Sequence, residues 1–298
     1  MKSELELRKD MSRLTRESRA AAKRETCYIC NKPVSSFCNS HSIPQYILRA
    51  IAEDGELLQS SALAGIPLAD EIKGVSNTGI FHLICNDCDS RIFSEYESPK
   101  CIRVAPTTKL LAQIALKNYL MQISKRLYEK ALYKNLQSLH QQIKNKEALD
   151  AIHDVDLRDY EFSYRWTMKI LDKDMSEKLI MHELHLCVFP LAESSVIMLF
   201  FHRDDREYVS FEKQFLRLSH EKKREYINYL IFRYTESFCV SKNLRKLLVE
   251  NEKIRELCRD TGAPNLGILT TFDLLTPYEP VKPNEIPNLL NEEFRLPR

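Results

Sequence analysis

Two Cys-x-x-Cys pairs, Cys27-Tyr-Ile-Cys30 and Cys85-Asn-Asp-Cys88, are the residues of this 298-residue chain best suited to chemistry. A structural zinc ion takes four tetrahedral ligands and accepts thiolates readily, and a Cys-x-x-Cys turn sets two sulfurs on one side of a tight loop. Cys27, Cys30, Cys85 and Cys88 are therefore expected to hold one structural Zn²⁺, with Lys32-Pro33 turning the chain away from the first pair. The plainer alternative is that these are buried free cysteines, a common fate of thiols. Cys101, Cys187, Cys239 and Cys258 lie scattered among apolar neighbours and read as core, while Cys38 could replace one of the four ligands.

Between the pairs, the segment CNSHSIPQYIL places His41 three residues before Pro44. An imidazole of near-neutral pKa can take a proton from a water that attacks a phosphodiester. That chemistry needs a divalent ion to stabilise the charge developing on the phosphate oxygens. Asp89, directly after Cys88, is the closest carboxylate by motif logic, because the second cysteine pair fixes its position relative to the first, with Asn39, Asn77, Glu95 and Glu97 as auxiliary groups. Arg49, Arg91 and Lys100 could contact phosphate. The same residues also have ordinary uses: His41 as a capping or packed side chain, Asp89 as the cap of the helix after the second pair, and Ser40 and Ser42 as caps around Pro44. His82 reads as a strand residue.

The elements that must position these groups follow from the pattern of the chain. Residues 3 to 24 lack Pro and Gly and read as a helical arm, either solvated, packed on the body, or basic enough to approach a phosphate backbone through Arg8, Arg13, Arg16, Arg19, Lys23 and Arg24. A cysteine-bounded module follows, with a short helix over Pro44 to Ala52, a turn at Asp54-Gly55 and a strand over Ile80 to Ile84. The stretch from Leu57 to Thr78 contains Gly65, Pro67 and Gly74 and reads as a surface insertion. After Cys88, helical spacing lets Ile92, Phe93 and Tyr96 share a buried side.

From Thr107 to Ile152 apolar residues recur three and four apart without a proline or glycine, predicting one long helix or two with a break. A second amphipathic segment covers Tyr164 to Leu184. His185 to Asp204 is rich in Val, Ile and Phe and predicts two strands or a hairpin. Helices are expected at Ser219 to Arg233 and Ser241 to Arg259, before a proline-rich tail with a short strand and an extended segment. The expected division is an arm (1–25), a cysteine-bounded module (26–105) and a mainly helical domain (106–298), giving an α+β protein.

Composition sets the outer bounds. Lys and Arg number 44 against 42 Asp and Glu, a balance that permits a nucleic-acid partner only where the cations cluster on a face. The cysteine total of nine is odd, which argues against a complete disulfide framework. The start, MKSELELRKD, has no apolar core of a secretory signal, and the apolar run Ser194 to Phe201 is too short to cross a bilayer. A cytoplasmic protein with no membrane partner is expected, where thiols stay reduced and free for metal.

The three segments CYIC, SHSIP and LICNDCD together resemble the HNH endonuclease superfamily, in its zinc-knuckle-containing subgroup, over about residues 26 to 97. The resemblance implies a zinc-braced, treble-clef-like ββα module, with Cys27, Cys30, Cys85 and Cys88 on structural zinc and His41 as general base. It also implies that Asp89 stands where the family carries a ligand of a catalytic Mg²⁺ or Mn²⁺. The family's acidic ligand before the base is replaced here by Ser40, and its asparagine is expected near Ile80, with Asn77 a displaced candidate. The implied activity is metal-dependent hydrolysis of DNA in a setting of bacterial or phage genome defence. A noncatalytic nucleic-acid-binding or protein-interaction subunit is the alternative, with a protein partner or a second copy meeting the helical region.

Overall fold

Helix formers dominate the chain, and the computed structural model shows them in ten α-helices among the described residues, which are 4–64, 70–139, 146–171, 185–190, 195–201, 206–235, 238–260 and 281–294. In chain order the first elements are α1 (Glu4–Ala22), β1 (Ser40–His41), α2 (Gln45–Ile51), β2 (Glu56–Gln59), α3 (Ser60–Ala64), β3 (Ile72–Gly74), β4 (Ile80–Phe81) and α4 (Asn86–Ile92). Then come α5 (Thr108–Leu139), α6 (Lys146–Leu171), β5 (His185–Pro190), β6 (Ser195–Phe200), α7 (Arg206–Leu216) and α8 (His220–Tyr234). The last are β7 (Cys239–Ser241), α9 (Arg245–Val249) and α10 (Glu252–Asp260). The protein is thus a mixture of helices and small sheets. No helix among the described residues is long and apolar enough to cross a membrane.

The chain divides into two compact units. The first contains Met1–Tyr46, Gly79–Cys187 and Leu199–Asp204; the second contains Ile47–Thr78, Val188–Met198 and Asp205–Arg298. In the first unit α1 and α6 both pack along α5. The core joins Phe81, Leu83, Ile84, Cys88 and Phe93 to Ala115, Leu116, Tyr119, Leu120 and Ile123 of α5 and Tyr164 of α6. Strands β1 and β4 pair antiparallel, Ser40 opposite Phe81 and His41 opposite Ile80. A pair this short is not stable in water alone, so its burial on α5 supplies what the hydrogen bonds lack.

The second unit corrects the expectation for residues 57 to 78. Instead of a surface insertion, β2 is the central strand of a three-stranded sheet, between β3 and β7. Leu57 and Leu58 are both fully buried, so both faces of this strand are covered. Leu58 and Leu63 enter a core with Phe232, Leu248, Ile254, Leu257 and Cys258. The expected turn is present: Asp54 and Gly55 both have positive φ, at 50° and 76°. The expected Ser241 to Arg259 helix is instead the end of β7, a 3₁₀ turn and two helices, α9 and α10.

The other expectations are met in part. The arm is a helix, the long Thr107 segment is two helices, and β5 and β6 form a two-stranded sheet. The predicted strand at Ile80 ends at Phe81, because the chain turns at His82 into the second cysteine pair. Residues 172–184 and 261–280, part of the second amphipathic segment and most of the tail, lie outside the described residues.

Candidate metal centre and a lysine-centred cluster

Each cysteine pair is held by local backbone bonds. In the first, Asn31 N–H donates to Cys27 O at 2.9 Å and Cys27 N–H to Lys32 O at 2.9 Å, closing a turn that leaves Asn31 at φ 57°. Asparagine is among the residues that tolerate this left-handed conformation. Thr26 and Pro33 then bridge, sending the chain away as Lys32-Pro33 predicts. In the second pair, Cys85 is the N-cap of α4 and Cys88 sits one turn in. Tyr28 N–H donates to Leu83 O at 2.8 Å, which ties the two turns together.

The four sulfurs of Cys27, Cys30, Cys85 and Cys88 lie within 4.8 Å of one another and could hold a metal ion. A tetrahedral ion bound at about 2.3 Å to sulfur needs sulfurs about 3.8 Å apart; Cys30 and Cys85 are 3.9 Å apart. Burial pushes the Cys27 thiol up, but the backbone N–H groups of Cys30, Cys85 and Ile29 outweigh it and hold it down at about 7. The Cys85 N–H to Cys27 Sγ contact is 3.3 Å. Burial, then hydrogen bonds with Cys85, Cys30 and Cys27, push Cys88 up to about 12. The donor set fits a metal ion that prefers thiolate.

Cys38 is outside this group. Its Sγ donates to Asp89 Oδ2 at 3.6 Å, and burial followed by the Asp89 charge pushes its thiol up to about 11. Cys101, Cys187 and Cys258 are buried and Cys239 is partly buried, as expected of core residues.

The second cluster begins one residue after Cys88. Asp89 Oδ1 accepts from Ser40 Oγ at 2.5 Å and from Lys117 Nζ at 2.8 Å. Lys117 Nζ also contacts Ser40 Oγ at 2.8 Å and Glu97 Oε1 at 3.0 Å. The lysine side chain is 0% exposed, and its ammonium stands 4.5 Å from the Phe93 ring centroid. Ser40 and Asp89, the two positions at which the resemblance expects ligands of a divalent ion, do converge. The ammonium of Lys117 bridges them. Mg²⁺ demands near-octahedral oxygen ligation at about 2.0–2.1 Å, whereas both nearby carboxylates here are bound to a resident cation. The residues present do not fit a catalytic divalent ion.

His41, on β1, is buried with 7% exposure, and Gln45 Nε2 lies 3.4 Å from its Nε2. Asp89 is bonded to Cys38, Ser40 and Lys117. The strand is anchored at Ser42, whose N–H donates to Gly79 O at 2.9 Å. Gly79 has φ 63°, and a Cβ there would come within 3.0 Å of Ser42 Oγ, so this register needs glycine.

The remaining predicted residues are dispersed. Asn77 is exposed in the 3₁₀ turn Val75–Asn77 of the second unit, and Arg49 is exposed in that unit too. Arg91 and Lys100 are exposed in the first unit. Asn39 Oδ1 is 2.8 Å from His82 Nε2. Glu97 joins the Lys117 cluster, whereas Glu95 accepts from Thr107 Oγ1 at 3.1 Å. Lys117 was not anticipated. Its signal is a lysine three residues after Ile114 and three before Leu120, on the apolar face of a helix, where lysine is found only if paired. No family model, curated protein or solved structure matches this chain.

Proposed function

We propose that the first unit is a zinc-braced module of HNH-like ββα layout that binds nucleic acid without metal-assisted cleavage. Cys27, Cys30, Cys85 and Cys88 hold structural Zn²⁺, with β1, β4 and α4 as the ββα elements. The observation that carries the noncleaving half is the Lys117 ammonium 2.8 Å from both Ser40 and Asp89, in the place of a divalent ion. The binding half is supported by exposed cations of the same unit, among them Arg19, Lys23, Arg91 and Lys100. DNA remains the partner of choice from the resemblance.

The test is a paired assay on the purified full chain. Elemental analysis should find about one zinc per chain. Fluorescence anisotropy with labelled duplex DNA should show binding that weakens steeply with salt, and supercoiled plasmid should stay intact in Mg²⁺ or Mn²⁺. Nicking that needs the divalent ion and disappears in His41→Ala, with zinc content unchanged, would overturn the noncleaving reading in favour of an endonuclease. Absence of any DNA binding would overturn the binding half.

A further inference from the structure

The helical arm α1 carries two opposed faces. Leu14 and Ser18 are buried, and Ser18 Oγ accepts from Asn135 of α5 at 2.9 Å. Lys9, Arg13, Arg16, Arg19 and Lys23 are all exposed. At 3.6 residues per turn Lys9, Arg13, Arg16 and Arg19 fall within about 120° of arc, opposite Leu14 and Ser18, with Lys23 one residue past the helix end, while Glu6, Asp10 and Glu17 fall together on one flank. Arg13 leans to that flank, 3.2 Å from Asp10 and 4.0 Å from Glu17. Among the described residues, no carboxylate lies within ion-pair distance of Lys9, Arg16, Arg19 or Lys23.

From Lys9 to Arg19 the stripe runs about 15 Å at 1.5 Å per residue, and Lys23 follows just past the end of α1. Lys9, Ser12, Arg13 and Arg16 border a shallow depression of about 270 Å³. Partial burial, then the charges of Arg19 and Lys23, hold the His82 imidazole below its usual range.

We infer that this outward face of α1 is a contact surface for the phosphate backbone of duplex DNA, engaged through Lys9, Arg16 and Arg19 and through Lys23 just past the helix end. The inference rests on the nucleic-acid reading above and names the surface that would carry it. Duplex DNA presents one negative charge per about 1.7 Å of axis, so a rigid row of this length can meet several phosphates at once. An anionic membrane is the less suitable partner, because a surface-bound helix inserts its apolar face. Here Leu14 of that face is already buried, and α1 packs along α5.

The experiment compares three full-length proteins by anisotropy with a labelled duplex over a range of NaCl. The parent is set against K9Q/R16Q/R19Q/K23Q and against K213Q/R217Q/K222Q/K246Q, which removes the same charge from exposed positions of the second unit. Glutamine keeps helix propensity, and circular dichroism with zinc content checks the fold. Each lost phosphate contact flattens log K against log [salt] by about 0.9, so the α1 variant should lose about 2–4 from its slope and at least tenfold in affinity. The control variant should stay close to the parent. A milder variant, K9Q/R16Q, should lose about half as much slope and serves if the fourfold variant folds poorly.

Equal slopes for parent and α1 variant, or equal losses in the two fourfold variants, would overturn the α1 surface while leaving nucleic-acid binding standing. No duplex binding by the parent would overturn both, and retention on anionic vesicles in that case would assign the stripe to a lipid surface.

Discussion

The first unit holds two clusters joined at Cys88-Asp89, one able to hold a metal ion and one built around a lysine, and they answer one electrostatic problem in opposite ways. The four thiols of one come close enough together to hold a metal ion, which has to be supplied from outside the chain. Ser40, Asp89 and Glu97 gather around Lys117, whose ammonium is part of the chain. Soft sulfur and hard oxygen therefore separate into an acquired cation and an inherited one. The contrast teaches that a ligand-like arrangement of residues is a metal site only where its negative charge is otherwise unanswered.

The largest break in this comparison should come from the acquired cation. Cys88→Ser is expected to drop bound zinc from about one per chain to near zero and to abolish the cooperative melting of the first unit. Structural zinc contributes an apparent ~10–16 kcal/mol in small zinc folds, far more than the surrounding turns can supply. Elemental analysis and near-ultraviolet circular dichroism of the same sample check both consequences. A variant that lost its zinc and kept its tertiary signal would show that the knuckles are not what braces β1 against α4.

A smaller but distinct effect is expected from the inherited cation. Lys117→Met leaves Asp89 and Glu97 partly buried without their counter-charge, which should cost about 3–5 kcal/mol in urea unfolding while zinc content stays at the parent value. Adding Asp89→Asn and Glu97→Gln removes the stranded charges and should recover most of the loss, because contacting residues are not additive. If Lys117→Met alone unfolds within about 0.5 kcal/mol of the parent, the ammonium is not the centre of the cluster.

The two clusters also differ in how visible they are from sequence. The Cys-x-x-Cys pairs were legible because a two-residue spacing is local and thiolate chemistry is specific, and the repeat of that spacing 58 residues on announces that the fold returns (Cys27 to Cys85). Asp89 was legible as a chemical residue through its position beside Cys88, but its partner was not. Lys117 lies 28 residues away on α5, and only tertiary packing decides that its helix face turns inward. For the same reason Leu57 and Leu58 misled: two adjacent leucines near Gly65 and Pro67 show no strand alternation, since a central strand covered on both sides has none to show. The α1 cations were legible, but not which side of the helix packs along α5.

A third buried ionisable group in the same unit sharpens the comparison by using no cation at all. His185 packs edge-on to Tyr119 with ring centroids 5.1 Å apart and stacks on Phe200 at 5.1 Å. Its Nε2 lies 2.9 Å from Tyr119 Oη, and Asn118 Nδ2 lies 3.2 Å from its Nδ1. Burial alone lowers its pKa to about 4, so it stays neutral in the fold. The unfolded chain takes up this proton near pH 6.5 and the folded chain does not until about pH 4, so folding is unaffected above pH 6.5 and loses stability as pH falls between those values. The full loss is about 3 kcal/mol. Urea unfolding of the zinc-loaded protein at pH 7 and pH 5 should show part of it, about 2 kcal/mol. His185→Gln, which cannot take up a proton, should remove that pH-dependent part while leaving the sensitivity to Lys117→Met intact. An unchanged pH profile in the glutamine variant would show that His185 is not the source of the acid sensitivity.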